Sequence, residues 1–300
     1  MKLLVTGAWN GGASHLDTLR KMGHEVYWME DERSELPQQY MDAEGVICNG
    51  LFLYHPIEHF PALRYIQLTS AGFDRVPLKE VQRRGITIHN AKGVYSIPMA
   101  EFALAGVLQL YKQGRFFAEN QKRHRWEKHR GLLELYGKNV CVFGCGSVGT
   151  ECARRFSAFG CQVTGVDIMP REDRNFVRIL PLTALEQLLP EADIVVLTLP
   201  LTEESRHLID DKLFSQMKNG TILVNIARGA IVEPNALAVW LAANRGAAVL
   251  DVFEEEPLPA DSPLWDMENV ILTPHNSFVG EGNGDRLFAL IKNNLQELMI

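Results

Sequence analysis

Three side chains of this 300-residue chain stand just beyond short apolar runs. They are Arg228 after TILVN (221–225), Glu256 in the turn after AAVL (247–250) and His275 after NVILT (269–273). Together they suit proton-coupled chemistry at a carbonyl. A guanidinium offers a planar fork that grips a carboxylate through two bonds and polarises a neighbouring carbonyl. An imidazole, with an ordinary pKa of ~6.5, gives a proton to a forming alkoxide and takes it back in reverse. A carboxylate beside it stabilises the imidazolium and fixes the ring. Glu256 is preferred to Glu254 and Glu255 for that part, because the following proline restricts its backbone and the turn should aim it inward. Singly, each of the three reads as a surface cation, a loop acid or a packing histidine. Their shared placement argues for catalysis.

Two glycine-rich stretches compete for a phosphate. VCVFGCGSVG (140–149) places Gly144, Gly146 and Gly149 in a G-x-G-x-x-G between an apolar run and the helical pattern TECARRFSAFG. Ser147 and Val148, between the second and third glycines, are placed with them as cofactor contacts, and Asp167 ends the next run, QVTGV, at close to the expected distance of about 20 residues. Such glycines let the backbone approach a pyrophosphate, the helix N-terminus supplies N–H donors and a favourable dipole, and the acid accepts from the adenosine ribose. The expected ligand is NAD. A carboxylate at 167 repels a 2′-phosphate, although Arg171 and Arg174 lie near enough to leave NADP as an alternative. Thr198, Pro200 and Ala227 emerge at the ends of the following runs and are placed with the glycines as cofactor contacts. The earlier stretch, LLVTGAWNGG, lacks this spacing at Gly7, Gly11 and Gly12 and has no Lys-Ser/Thr pair, so Gly7 reads as a structural turn.

The elements that must hold these residues follow from the alternation of Val/Ile/Leu-rich runs with helical patterns, as in parallel sheets built from βαβ units. Five short strands are expected at 2–6, 25–29, 45–49, 64–69 and 86–90, and six more at 139–143, 162–166, 193–198, 221–225, 247–250 and 269–273. The expectation is an α/β protein with two doubly wound parallel-sheet domains. One is a Rossmann domain at 94–280; the other is a smaller flavodoxin-like domain of 1–93 plus 281–300, the final stretch GDRLFALIKNNLQELMI returning as an amphipathic helix. Ligands bind beyond the carboxyl ends of such strands, where the residues named above stand. From Ser96, SIPMAEFALAGVLQLYKQGRFF reads as one continuous helix of about six turns, buried on several sides at a domain or subunit interface.

A net charge of −7 argues against nucleic acid as a partner, and the basic run KRHRWEKHR (122–130) reads as solvated or as a subunit contact. No apolar stretch approaches the ~20 residues of a membrane span, and the N-terminal run breaks too soon for a signal peptide, so a cytoplasmic protein is expected. The five cysteines suit a reducing compartment, and Cys141, Cys145, Cys152 and Cys161 lack paired zinc spacing; no metal is expected.

The stretches VFGCGSVG, LPLTEESRHLI, MKNGTILVNIARGAIVEPNAL, DVFEEEPLP and NVILTPHNS resemble the D-isomer-specific 2-hydroxyacid dehydrogenases over nearly the whole chain. The resemblance implies hydride transfer between a nicotinamide and C2 of a 2-oxo or D-2-hydroxy acid, with Arg228, Glu256 and His275 as the catalytic set. It also implies that Asp251 holds the nicotinamide carboxamide and that backbone N–H groups near Ala71 and Gly72, in TSAGFDRV, bind the substrate carboxylate. The first domain would be the substrate domain, the cleft between domains would close to exclude water, and a homodimer would form around the helix near Ser96. Two stretches depart from the family's usual wording. HNSFVGEGNGD differs after the histidine, and the loop CNGLFLYHP (48–56) has no arginine to meet a phosphate. An unphosphorylated, small or apolar substrate is therefore expected, lined by Phe52, Tyr54 or Phe278. A corepressor-like NAD sensor and a formate- or phosphite-type dehydrogenase are the rival readings.

Overall fold

In a computed structural model, which describes residues 1–9 and 12–298, the chain divides into two compact units, Met1–Tyr95 with Gly280–Ile300, and Ser96–Val279. Gly11, weighed above with Gly7 and Gly12, and the last two residues lie outside the described residues.

The first unit holds one parallel sheet in the order β2-β1-β3-β4-β5, with β1 Lys2–Thr6, β2 Glu25–Met29, β3 Gly45–Cys48, β4 Tyr65–Leu68 and β5 Thr87–His89. This is the flavodoxin-like order. β3 and β4 are buried along their full length, as short apolar strands covered on both faces must be. The C-terminal helix Asn283–Glu297 returns to this sheet. Its Leu287, Ile291 and Leu295, four residues apart on one face, pack among Leu3, Val5, Trp9 and Leu19. Gly7 turns the chain after β1 so closely that a Cβ there would lie 1.9 Å from the carbonyl oxygen of Glu30.

The second unit holds a seven-stranded parallel sheet, β12-β11-β10-β9-β6-β7-β8. Its strands are β6 Asn139–Phe143, β7 Gln162–Val166, β8 Arg178–Leu180, β9 Ile194–Leu197, β10 Thr221–Asn225, β11 Gly246–Leu250 and β12 Val270–Leu272. Alternate residues feed two cores. Phe143, Leu197, Leu223 and Leu250 meet Leu213, Phe214 and Trp240 on one face; Val142, Val196, Val224 and Val249 meet Ala103, Val107, Cys152 and Phe156 on the other. The sequence reading expects six strands here. The seventh, β8, is a three-residue strand at the sheet edge whose first residue is exposed, too short to show a period.

The apolar helix from Ser96 is also shorter than expected. It ends at Tyr111, Gln113 adopts a left-handed conformation (φ +53°), and a separate helix begins at Gly114 and runs to Lys122. A left-handed residue ends the α-helical hydrogen-bond ladder, and the apolar pattern that continues to Phe117 carries no mark of that break. Within its own unit the first helix buries one face, with Gly106 so near β11 that a Cβ would lie 2.6 Å from Val249. Among the described residues no helix is long and apolar enough to cross a membrane.

Candidate active site

All strands of the larger sheet are parallel, so the chain leaves every one of them on the same edge. The order reverses between β9 and β6, and that switch point divides the edge into two halves. The glycine loop and Asp167 follow β6 and β7 on one side; Arg228, Glu256 and His275 follow β10, β11 and β12 on the other.

The three glycines of the loop have three different surroundings. Gly144 has φ +89°, and a Cβ there would lie 2.7 Å from the backbone of Leu199. At Gly149 a Cβ would lie 2.0 Å from the carbonyl oxygen of Gly144, so only glycine lets the helix Ser147–Ala158 pack this closely on the turn. At Gly146 a Cβ would meet nothing within 4 Å. That open position precedes Ser147 and Val148, the first residues of a twelve-residue helix whose leading N–H groups have no partner within the helix. A pyrophosphate fits there. Asp167 stands half-buried beside the loop, accepting from the Cys145 N–H at 2.7 Å and the Met169 N–H at 3.0 Å. The Arg171 guanidinium bonds the carbonyl of the same Cys145, so Asp167 and Arg171 hold the two backbone groups of one residue. Burial pushes the Cys145 thiol up to about 12, so it stays protonated in the wall of the loop.

Other expected cofactor residues hold the loops in shape. The Thr198 hydroxyl donates to the carbonyls of Gly144 at 2.6 Å and Phe143 at 3.1 Å, tying β9 to the glycine turn. The carbonyl of exposed Pro200 accepts from the Ser205 hydroxyl at 2.8 Å. Ala227 is 7% exposed; its N–H donates to Asn225 Oδ1 at 3.1 Å and its carbonyl accepts from Arg228 Nη1 at 2.7 Å. Asn225, itself buried, also donates to the Arg228 carbonyl at 3.0 Å, so it sets the turn that presents the guanidinium. In the sequence Asn225 reads as the last residue of a strand. Its signal there is an amide closing the largely apolar run TILVN.

His275 Nδ1 and Glu256 Oε2 are 2.9 Å apart, and Glu256 Oε1 accepts from the Phe253 N–H at 3.0 Å. Glu254, the neighbour set aside, points elsewhere, pairing with Arg206 Nη1 and with His207 Nε2 at 2.9 Å each. His275 has φ +50°, a left-handed backbone uncommon outside glycine, and Phe278 packs edge-on to its ring at 6.1 Å. Asp251 is 0% exposed. Its Oδ1 accepts from the Thr273 hydroxyl at 2.7 Å and the Asn276 N–H at 2.8 Å, and its Oδ2 from the Ser277 N–H at 2.9 Å.

In the first unit, the N–H groups of Ala71 and Gly72 have no acceptor among the described residues, while their carbonyls accept from Asn90 Nδ2 at 2.6 Å and the Ser70 hydroxyl at 3.1 Å. Phe52 leans into the core, edge-on to Phe60 at 6.2 Å, and so reads as packing; Tyr54 is 47% exposed. Arginines from two neighbouring loops reach the 48–56 loop, which the linear stretch does not reveal. Arg33 and Arg75 line a 520 Å³ hollow with Tyr54, but Glu30, Asp31 and Glu32 line it too.

The sequence model of the D-isomer specific 2-hydroxyacid dehydrogenase NAD binding domain matches residues 104–277. A glyoxylate reductase of Korarchaeum cryptofilum is 34% identical over 248 residues, 79% of this chain and 74% of that protein. A solved structure of a D-isomer specific 2-hydroxyacid dehydrogenase family protein from Aeromonas salmonicida superposes with a TM-score of 0.83 at 31% identity, covering 99% of this chain and 95% of that one. A D-lactate dehydrogenase of Aquifex aeolicus, solved with NAD and lactic acid, gives 0.79 at 25% identity over 99% and 96%. The chain belongs to the D-isomer specific 2-hydroxyacid dehydrogenase family. It is an NAD-dependent oxidoreductase that interconverts 2-oxo and 2-hydroxy acids.

Proposed function

We propose that Arg228, Glu256 and His275 do the proton and carboxylate work of this reaction, and that the substrate is a small or apolar, unphosphorylated 2-oxo acid. The His275–Glu256 pair at 2.9 Å carries the reading, because it follows β11 and β12 on the edge that bears the glycine loop. Nicotinamide, when bound, gives or takes the hydride at substrate C2. With Nδ1 turned to Glu256, Nε2 is the ring nitrogen left to protonate the developing alkoxide, and Glu256 stabilises the cation before the proton is given up. Arg228, its turn set by Asn225, orients the carboxylate and polarises the carbonyl. In the first unit, read as the substrate domain, the Ala71 and Gly72 N–H groups are the proposed carboxylate donors. The three carboxylates beside Arg33 and Arg75 outnumber the two guanidiniums and disfavour a phosphate dianion.

The working form is proposed to be a homodimer. Ile97, Phe102, Leu104 and Leu108 are incompletely buried along the helix Ser96–Tyr111, and Trp126 is 99% exposed in the basic stretch that follows. Five free, buried thiols suit a reducing cytoplasm. The test is NADH consumption with glyoxylate, hydroxypyruvate, its 3-phosphate, pyruvate and phenyl or branched 2-oxo acids. An unphosphorylated member is expected to be fastest, and His275→Asn to lose turnover by about 10²- to 10⁴-fold while NADH affinity holds. Equal loss of both, or preference for the phosphate, overturns the reading.

A further inference from the structure

We infer that Glu32 is a positioning residue that sets substrate preference, by fixing the loop that carries Leu53 and Tyr54. This rests on the reading above that the 48–56 loop meets the substrate's side chain. In the five-stranded sheet β1 lies between β2 and β3, and Glu32 follows β2. Its carboxylate reaches across the end of β1 to the chain leaving β3. Oε1 accepts from the Thr6 hydroxyl at 2.7 Å and the Asn49 N–H at 2.8 Å, and Oε2 accepts from the Gly50 N–H at 2.7 Å. The far end of the loop returns to the same residue, with His55 Nε2 2.9 Å from the Glu32 carbonyl. A carbonyl only accepts, so that ring nitrogen carries a proton. Side chain and backbone of one residue thus hold both ends of the loop 49–55.

Between those ends lies a single helical turn, Leu51–Tyr54. Leu51 is wholly buried and Phe52 packs on Phe60, so half of the turn faces the core. Leu53 and Tyr54 are 58% and 47% exposed and line the hollow beside Arg75. One turn has too few internal hydrogen bonds to hold its own shape. The backbone donors that lead into it are held instead by a carboxylate, the stronger kind of acceptor. Behind that carboxylate Thr6 is wholly buried at the end of β1 and is not among the residues that line the hollow, so a change there reaches the loop through Glu32. A displaced wall alters contact with a substrate side chain by about one methylene, worth roughly 10- to 200-fold in discrimination. An acid without a side chain is left untouched.

Glyoxylate, which has no side chain, serves as the internal control. Glu32→Gln keeps the size but has one acceptor oxygen, so its amide NH2 is set against a backbone N–H of the loop. The measured quantity is the ratio of kcat/KM for the fastest of pyruvate, hydroxypyruvate and phenylpyruvate to that for glyoxylate. In Glu32→Gln it should fall about tenfold, through KM, with glyoxylate kcat and the NADH dissociation constant within about twofold of wild type. Thr6→Val removes one donor and leaves both backbone bonds; it should lower the same ratio about fivefold, with Thr6→Ser restoring it. Should Glu32→Gln not fold, the Thr6 pair carries the test. An unchanged ratio in folded Glu32→Gln overturns the inference. A shift there with none in Thr6→Val makes Glu32 a direct contact, and equal loss for every acid, glyoxylate included, marks a purely structural role; either overturns it too. Leu53→Ala and Tyr54→Ala separate the two levels. If they shift the ratio and the Glu32 and Thr6 variants do not, the positioning role alone falls. If they leave it unchanged, or if wild type turns over glyoxylate alone, the reading of the loop falls and the inference with it.

Discussion

Gly146→Ala places one methyl where the chain has left space. Gly146 has φ −73°, which alanine adopts freely, and its Cβ would meet no protein atom within 4 Å. The folded protein should not register the change, and the melting temperature should stay within about 1 °C, as for a substitution without a clash. A phosphate oxygen drawn to the N–H groups of Ser147 and Val148 would register it. Charge-assisted N–H···O bonds close at ~2.8 Å, and a methyl over the loop pushes the anion outward by roughly 1 Å, past bonding range. Losing one such bond costs about 1.5–3 kcal/mol, equivalent to about 10- to 150-fold weaker NADH binding. Titration of intrinsic or NADH fluorescence measures the affinity, and a thermal melt supplies the control. Gly149→Ala marks the contrast: its Cβ would lie 2.0 Å from the Gly144 carbonyl, so it should lose stability as well as affinity. Wild-type NADH affinity in Gly146→Ala would refute the assignment of the pyrophosphate to this turn.

Two further outcomes are expected. His24 is 6% exposed with neither ring nitrogen hydrogen-bonded among the described residues, and burial lowers its pKa below the ordinary value. The unfolded chain then binds a proton that the folded one refuses. Stability should be indifferent to this group above pH ~6.5 and fall as the pH drops below it, levelling off beneath the lowered folded value. Urea melts between pH 5 and 8 should show this limb in wild type, and a limb unchanged in His24→Leu would exclude His24 as its source. Trp126→Ser, removing the most exposed aromatic of the basic stretch, should shift sedimentation equilibrium from the proposed dimer toward monomer at micromolar concentrations; a wild type that is monomeric refutes the dimer, and a dimer unchanged by the substitution places its interface elsewhere.

Much of the architecture can be read along the chain because its signals are local. A buried parallel strand is a short apolar run, and a dinucleotide turn is three glycines between such a run and a helix. Those two facts locate eleven of the twelve strands among the described residues, and the glycine loop. Parallel connection then puts the strand ends of each sheet on one edge of that sheet, so the residue types at the edge can be named before their contacts are known. Tertiary structure decides what depends on neighbours distant in sequence. Whether Glu254 or Glu256 faces His275 is settled by the path of one turn, and Arg206 and His207 draw Glu254 away. Asp251 follows β11 in its motif, and only the fold brings the loop after β12 over it to bond both its oxygens. Arg33 and Arg75 reach the 48–56 loop from other strand ends. Residue type and spacing set which groups the edge carries. Which of them remain accessible for chemistry, and which are consumed in holding it, is fixed only when separate strands bring their hydrogen-bonding partners together.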